Sequence, residues 1–244
     1  MRRWWLGTAV AIALATPIAG ASAGSERADV AVVLAVDVSG SVDDNRFRLQ
    51  REGIATALES DELAAAVATG ANHAIEVTVI EFAEEQHVIV SWAVLRRRDD
   101  LAAFAGWVRS AERSWLHTKT DPGRGITAAD KLFATEPLVA ERRVIDVSGD
   151  GRQNTGEVPT AEARDAVIAH AVTLDGLPIT GGAERDLDEW YRANVIGGPG
   201  AFLIVANGYE AFAEAFRQKL LLEIVGPAPG PELGSASNHR QRPD

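Results

Sequence analysis

The sequence contains no cysteine, so disulfide bridges and thiolate metal sites are excluded. Stability must therefore come from a hydrophobic core and from any ion that the protein binds. The five histidines show no HExxH or other paired spacing of the kind that binds zinc on a helix. Basic residues are also scarce: 24 Lys and Arg against 35 Asp and Glu give a net charge of -11, which argues against non-specific nucleic-acid binding.

Long hydrophobic runs are missing except at the N-terminus. Residues 1–23 carry Arg2 and Arg3, then an apolar run, then Ala21-Ser22-Ala23, a pattern typical of a cleavable signal peptide. We therefore expect a periplasmic or extracellular protein. The adjacent arginines leave twin-arginine export open, although no Ser or Thr precedes them. The run is shorter than the ~20 residues that a spanning helix needs, so we expect no membrane span after cleavage.

The rest of the chain is long enough for one domain with a substantial core. We assign residues 24–226 to this domain. The tail, residues 227–244, is rich in Pro, Gly, Ser and polar groups and has almost no apolar residues, so it is predicted to be disordered.

Apolar, β-branched segments alternate along the domain with segments of helical periodicity. This order predicts an α/β fold: a doubly wound, Rossmann-like, mostly parallel sheet with helices on both faces. A short turn with two glutamates joins two segments of period two, which predicts that the second is an antiparallel edge strand. The predicted strands are 29–38, 73–83, 86–94, 142–150, 172–179 and 201–206, and the predicted helices are 47–60, 99–111, 126–134, 160–172, 187–195 and 209–225.

Oxygen-bearing side chains follow the first predicted strand in the pattern D-x-S-x-S, formed by Asp37, Ser39 and Ser41. Such residues are also common in turns and helix caps, so this pattern alone leaves both interpretations open. Thr120 lies in a loop before a predicted helix, and Asp150 follows another predicted strand. All five are hard oxygen donors, which favours Mg²⁺, Ca²⁺ or Mn²⁺ over zinc or copper.

These residues resemble the metal-ion-dependent adhesion site (MIDAS) of von Willebrand factor type A (vWA) domains. That pattern is Asp-x-Ser-x-Ser, then a distant Thr and a distant Asp, and it implies metal ligands at Asp37, Ser39, Ser41, Thr120 and Asp150. The segments GLPI, NVIGGPGAFLIVA and FAEAFRQKLLLEIVG are similar to a bacterial secreted branch listed as domain of unknown function 1194. The resemblance runs from about Ala31 to Gly226, nearly the whole chain that would remain after signal cleavage.

The resemblance implies a mechanism of binding. Two aspartates would supply two negative charges, three hydroxyls would be neutral donors, and the ion, with Mg²⁺ the best fit, would keep one coordination position open. An Asp or Glu of a protein partner could fill that position, so binding would depend on the metal.

Two residues depart from the broad family pattern. Lys119 stands where a glycine commonly precedes the threonine, and an ammonium pointing inward would compete with a dication. Thr118 is therefore an alternative to Thr120. Gly149 stands where Thr or Ser often precedes the last aspartate.

We expect a non-enzymatic, secreted binding module. One alternative is a metal-dependent hydrolase or phosphatase. The chain, however, has no G-x-S-x-G elbow, and an aspartate that accepts a phosphoryl group usually has a second acid two positions later, where this chain has Ser39 after Asp37. A second alternative is a structural partner that has the vWA fold and binds no metal.

Overall fold

The computed structural model describes residues 26–114, 118–182 and 184–226. The predicted signal peptide and the predicted disordered tail lie outside these residues. Nearly all the predicted elements are present, with ends that differ by a few residues from those expected.

The strands form one six-stranded sheet and one small two-stranded sheet. In chain order they are β1 (Arg27–Ala28), β2 (Val30–Asp37), β3 (Ile75–Phe82), β4 (Gln86–Leu95), β5 (Val139–Ala140), β6 (Arg143–Gly149), β7 (Val172–Thr180) and β8 (Ala206–Asn207). The helices are α1 (Asp44–Leu58), α2 (Asp61–Thr69), α3 (Arg98–Ser110), α4 (Pro122–Leu132), α5 (Thr160–Ile168), α6 (Leu187–Asn194) and α7 (Phe212–Val225), with short 3₁₀ turns at Phe133–Thr135 and Tyr209–Ala211.

The main sheet has the order β4-β3-β2-β6-β7-β8. All neighbours are parallel except β3 and β4, which pair antiparallel. The predicted fold class and the predicted antiparallel edge strand are therefore confirmed.

Both faces of the sheet are covered, and β2 shows why. Every residue of β2 is buried, which is typical of a central strand of a parallel sheet. Its side chains alternate between two cores: Val32 and Leu34 pack with α1, α2, α3 and α7, whereas Val33 and Ala35 pack with α4, α5 and α6. No helix in the described residues is long and apolar enough to cross a membrane.

The predicted strand 201–206 is wrong in extent, because only Ala206–Asn207 forms regular pairs with β7. Upstream, Leu203 makes a single bridge to Gly176. The Asp175 side chain accepts a hydrogen bond from the Phe202 backbone N–H at 2.9 Å. This N–H is therefore not available for the backbone hydrogen bonds of a regular strand pair. The helix α2 was not predicted from the sequence, although Ser60 caps its N-terminus by accepting the Leu63 N–H.

The chain changes direction across the sheet next to β2. After β2 it adds β3 and β4 on one side, and then crosses to add β6, β7 and β8 on the other. The crevice at such a switch point, at the carboxyl ends of the strands, is the usual binding place in open α/β sheets. Asp37 ends β2 and Asp150 directly follows β6, so both lie at this crevice.

Candidate metal-binding site

Asp37 lies at the base of the candidate site. It is the last residue of β2 and is 0% exposed. Its Oδ1 accepts the Ser39 backbone N–H at 2.8 Å, whereas its Oδ2 is buried without a hydrogen-bond partner. An unpartnered buried carboxylate oxygen is costly, so this atom marks a place where a ligand would be stabilising.

The turn after β2 brings two hydroxyls next to this carboxylate. The Oγ atoms of Ser39 and Ser41 lie 3.4 Å apart. Between them, the Gly40 N–H donates to the Thr118 carbonyl at 3.0 Å. A Cβ at position 40 would lie 2.9 Å from that same oxygen, so the glycine permits the close approach of the 118–121 loop.

Asp150 completes the pair of carboxylates. The Ser41 hydroxyl donates to its Oδ1 at 2.5 Å, and Arg46 Nη1 lies 3.3 Å from its Oδ2. Ser41 and Asp150 are 109 positions apart in the sequence, and the pairing of β2 with β6 brings them together. The structure thus joins two of the predicted ligands directly.

Gly149, the second departure from the family pattern, has a structural reason. A Cβ there would lie 2.8 Å from both Cβ and Oδ2 of Asp37, and 3.0 Å from the hydroxyl of Tyr191. The buried ring of Tyr191, on α6, therefore occupies space that a larger residue at 149 would need. Nothing local in the sequence links position 191 to the site, so Tyr191 was not among the predicted site residues.

Thr120 is held at the site by Asn154. Its backbone N–H donates to Asn154 Oδ1 at 2.8 Å, and its carbonyl accepts the Asn154 N–H at 3.0 Å. Thr120 is buried, and its Oγ1 would be 3.4 Å from a Cβ at Gly151, the residue after Asp150. Thr118 and Lys119 are both exposed, and the Lys119 N–H donates to Glu84 Oε1. Thr120 is thus buried beside the residue that follows Asp150, whereas Thr118 and Lys119 lie at the surface.

The electrostatics of the site follow from burial. Burial, and secondarily the charge of Asp150, raises the pKa of Asp37 to about 7. Burial and the same two acids raise the pKa of Tyr191 and Tyr209, so both phenols stay neutral. Burial of the Asp37 carboxyl group beside Asp150 thus disfavours its charged form, which a cation close to it would stabilise.

The donor set fits a hard dication. It consists of two carboxylates and three hydroxyls, all oxygen, which is the preference of Mg²⁺, Ca²⁺ and Mn²⁺. The described residues contain no group of three or more His, Cys, Asp or Glu arranged to hold a metal, so a site here must rely on the hydroxyls. Beside it lies a cavity of about 160 Å³, lined among others by Arg46, Asp150, Tyr209 and Glu210.

Comparison with known proteins supports the resemblance. A family model described as "Protein of unknown function (DUF1194)" matches residues 27–228. A search of curated proteins found no match.

Several solved structures share the fold at low sequence identity. The vWA protein from Catenulispora acidiphila is 20% identical, with a TM-score of 0.57 over 82% of this chain and 43% of that chain. Proximal thread matrix protein 1 from the mussel byssus is 14% identical, with a TM-score of 0.60 over 82% of this chain and 48% of that chain.

A second structure of that matrix protein has a zinc-occupied MIDAS motif and is 12% identical, with a TM-score of 0.57 over the same shares of the two chains. The pilus adhesin SpaC from Lactobacillus rhamnosus GG is 14% identical, with a TM-score of 0.59 over 83% of this chain and 32% of that chain. This chain therefore spans less than half the length of these proteins, and the likeness is one of fold.

Proposed function

Since the chain belongs to the DUF1194 family and has the vWA fold, we propose that it is a non-enzymatic binding module that uses a divalent cation to engage an acidic group of a protein partner. Asp37, Ser39, Ser41, Thr120 and Asp150 would hold the cation. Mg²⁺ fits best, and Ca²⁺ or Mn²⁺ would bind through the same oxygens.

One observation carries this proposal: the buried, unpartnered Oδ2 of Asp37. It lies at the carboxyl edge of the sheet, in the same turn as the hydroxyls of Ser39 and Ser41. A cation there would replace the missing hydrogen bond and offset the repulsion between Asp37 and Asp150. The zinc-occupied MIDAS of the mussel matrix protein supports the idea that this fold accepts a divalent ion at this place.

The partner chemistry follows from the ligand count. Two carboxylates and three neutral hydroxyls would leave one position of an octahedral ion open, and the ion, still electrophilic there, would accept an oxygen of a partner's carboxylate. Binding of the metal and binding of the partner would favour each other. The partner would therefore raise the affinity for the metal by the same factor by which the metal raises the affinity for the partner. With residues 1–23 as a signal peptide, we place this binding in the periplasm or outside the cell.

A hydrolase or phosphatase is the alternative that we weigh against this. In the described residues no histidine forms a hydrogen bond with Ser39 or Ser41, and the Ser41 hydroxyl donates to Asp150. The absence of an imidazole base beside these serines in the described residues favours the binding module over a serine nucleophile.

The test is a thermal melt of the chain from residue 24 in EDTA and in Mg²⁺, Ca²⁺ or Mn²⁺. Metal at about 100 times its dissociation constant should add ~2.7 kcal/mol, or roughly 5–10 °C for a chain of this size. Asp37→Asn should abolish the shift. Asp121→Asn is the matched control, because Asp121 is also a buried aspartate at this edge of the sheet but serves as the N-cap of α4.

A wild-type protein that shows no shift with any of the three ions contradicts the proposal. That result would favour the third possibility, a vWA-fold structural partner that binds no metal.

A further inference from the structure

Arg46 touches the candidate site without being one of its ligands. Its Nη1 donates to the Ser41 carbonyl at 2.7 Å and lies 3.3 Å from Asp150 Oδ2. Its guanidinium also lies over the Tyr209 ring, 5.3 Å from the ring centroid. The Arg46 side chain is 36% exposed, whereas that of Asp150 is 3% exposed. A solvent-facing cation thus contacts a buried acid of the site.

The position of Arg46 in its helix is unusual for a basic residue. It lies in the first turn of α1, where the helix dipole favours acids and disfavours cations. The carboxylate of Asp150 offsets this disadvantage. The contact with Asp150 in the crevice, and not a contribution to the helix, therefore accounts for a basic residue at this position.

Both oxygens of Asp150 are already engaged. Oδ1 accepts from the Ser41 hydroxyl, and Oδ2 faces Arg46. A dication bound through Asp150 would repel a guanidinium that stays in contact with the same carboxylate. Cation entry and the Arg46–Asp150 contact are therefore mutually unfavourable.

The structure also offers Arg46 a second place. The adjoining cavity of about 160 Å³ is lined by Asp43 and Glu210, and by Gly181 and Gly182, which have no side chains to fill it. Arg46 Nε is already 3.8 Å from Asp43 Oδ2. A displaced guanidinium could turn toward these acids and still remain at the carboxyl edge of the sheet.

From this geometry we propose that Arg46 is the built-in counter-cation of the site: it neutralises Asp150 when no metal is bound and moves aside when a divalent cation enters. This inference rests on the proposed function. It assigns to Arg46 a regulatory role, since the residue stabilises the metal-free form and lowers the affinity for the ion.

The experiment is a calorimetric titration with Mn²⁺ of wild type, Arg46→Met and Arg48→Met. Methionine keeps an apolar chain over Tyr209 and removes the charge. Arg48 is the matched control, because it lies on the same helix and bonds to Asn45 rather than to the site, so that its removal changes the net charge equally. A unit charge about 6 Å from a dication in a water-like dielectric changes a binding constant about tenfold.

We expect Arg46→Met to bind Mn²⁺ about tenfold more tightly than Arg48→Met, and to melt at a lower temperature in EDTA. Arg46→Lys, which keeps the charge, should stay close to wild type in Mn²⁺ affinity. If wild type binds Mn²⁺ and Arg46→Met binds it no more tightly than Arg48→Met, the counter-cation role is overturned and the metal site stands. If no variant binds Mn²⁺, the proposed function itself falls, and this inference with it.

Discussion

At the scale of single residues, Asp37 is the side chain whose protonation matters most to the metal-free protein. Its pKa is raised from an ordinary 3.8 to about 7, chiefly by burial and then by Asp150. The folded protein thus binds this proton more tightly than the unfolded chain does. The sign follows: this group's contribution is full below about pH 4 and is lost as the pH rises to about 7.

Asp37→Asn should remove this pH dependence. In EDTA, the free energy of unfolding of the variant minus that of wild type should be larger at pH 8 than at pH 4, by up to about 4 kcal/mol. Urea unfolding at the two pH values measures this difference. If the difference between variant and wild type were equal at the two pH values, Asp37 would have an ordinary pKa in the folded protein.

The residue scale also shows what local sequence can predict about the site. Asp37, Ser39 and Ser41 form a short pattern that can be recognised directly. Thr120 and Asp150 were candidates because of their places beside predicted elements, and the family resemblance joined them to one site, since only strand order brings them to the same crevice. Arg46 and Tyr191 could not be found, because a local pattern contains no information about which distant side chains fill the remaining space. That the five residues bind a cation stays a prediction.

At the scale of elements, α1 and α7 pack closely because of a glycine. A Cβ at Gly53 would lie 2.7 Å from Phe212 Cδ1 and 3.1 Å from the Cα of Ala213. The Phe212 ring is fully buried and stacks on Phe216, so it cannot easily move. The glycine therefore sets how near the two helices lie.

Gly53→Ala should destabilise the protein even though alanine is the better helix former. We expect a net loss of about 1–2 kcal/mol, because overpacking typically costs about 1–3 kcal/mol and the gain in helix propensity is at most ~1 kcal/mol. Gly106→Ala, in α3, is the matched control: its Cβ would meet nothing within 4 Å, so it should be neutral or stabilising. Denaturant unfolding measures both, and equal effects would contradict this account of the contact.

Elements also differ in how far sequence predicts them. The long, strongly periodic segments were predicted correctly, because burial of one face determines them. The strand expected at 201–206 was not, since the Asp175 side chain bonds to the Phe202 backbone and competes with the ladder. The short helix α2 was missed although its cap signal, Ser60, was present.

At the scale of the whole molecule, two of the settings in which the described residues bury charge differ in how that charge is compensated. At the carboxyl edge of the sheet, Asp37 lacks a partner for one oxygen. Between the sheet and α7, by contrast, Lys219 lies 2.8 Å from Asp146 and also pairs with Glu223, and all three are buried. The first setting is the one where we propose that an ion binds, and the second links α7 to β6 with the protein's own charges.

Lys219→Met should be strongly destabilising, because it leaves two buried carboxyl groups without their cation. We expect a loss of about 3–5 kcal/mol in denaturant unfolding. Adding Asp146→Asn and Glu223→Gln to the same chain should recover most of the loss. If Lys219→Met alone were as stable as wild type, the ammonium group would not be what stabilises the buried carboxyl groups of Asp146 and Glu223.

The separation of 109 positions between Ser41 and Asp150 has a consequence for the order of events during synthesis. The crevice does not exist until β6 has been made and has paired with β2, which occurs after more than half of the chain has been translated. The proposed ion would therefore meet all of its ligands only in a chain whose β2 and β6 have already paired. A partner that needs this proposed ion would then bind only chains that already contain a paired β6, and shorter nascent or truncated chains would not be bound.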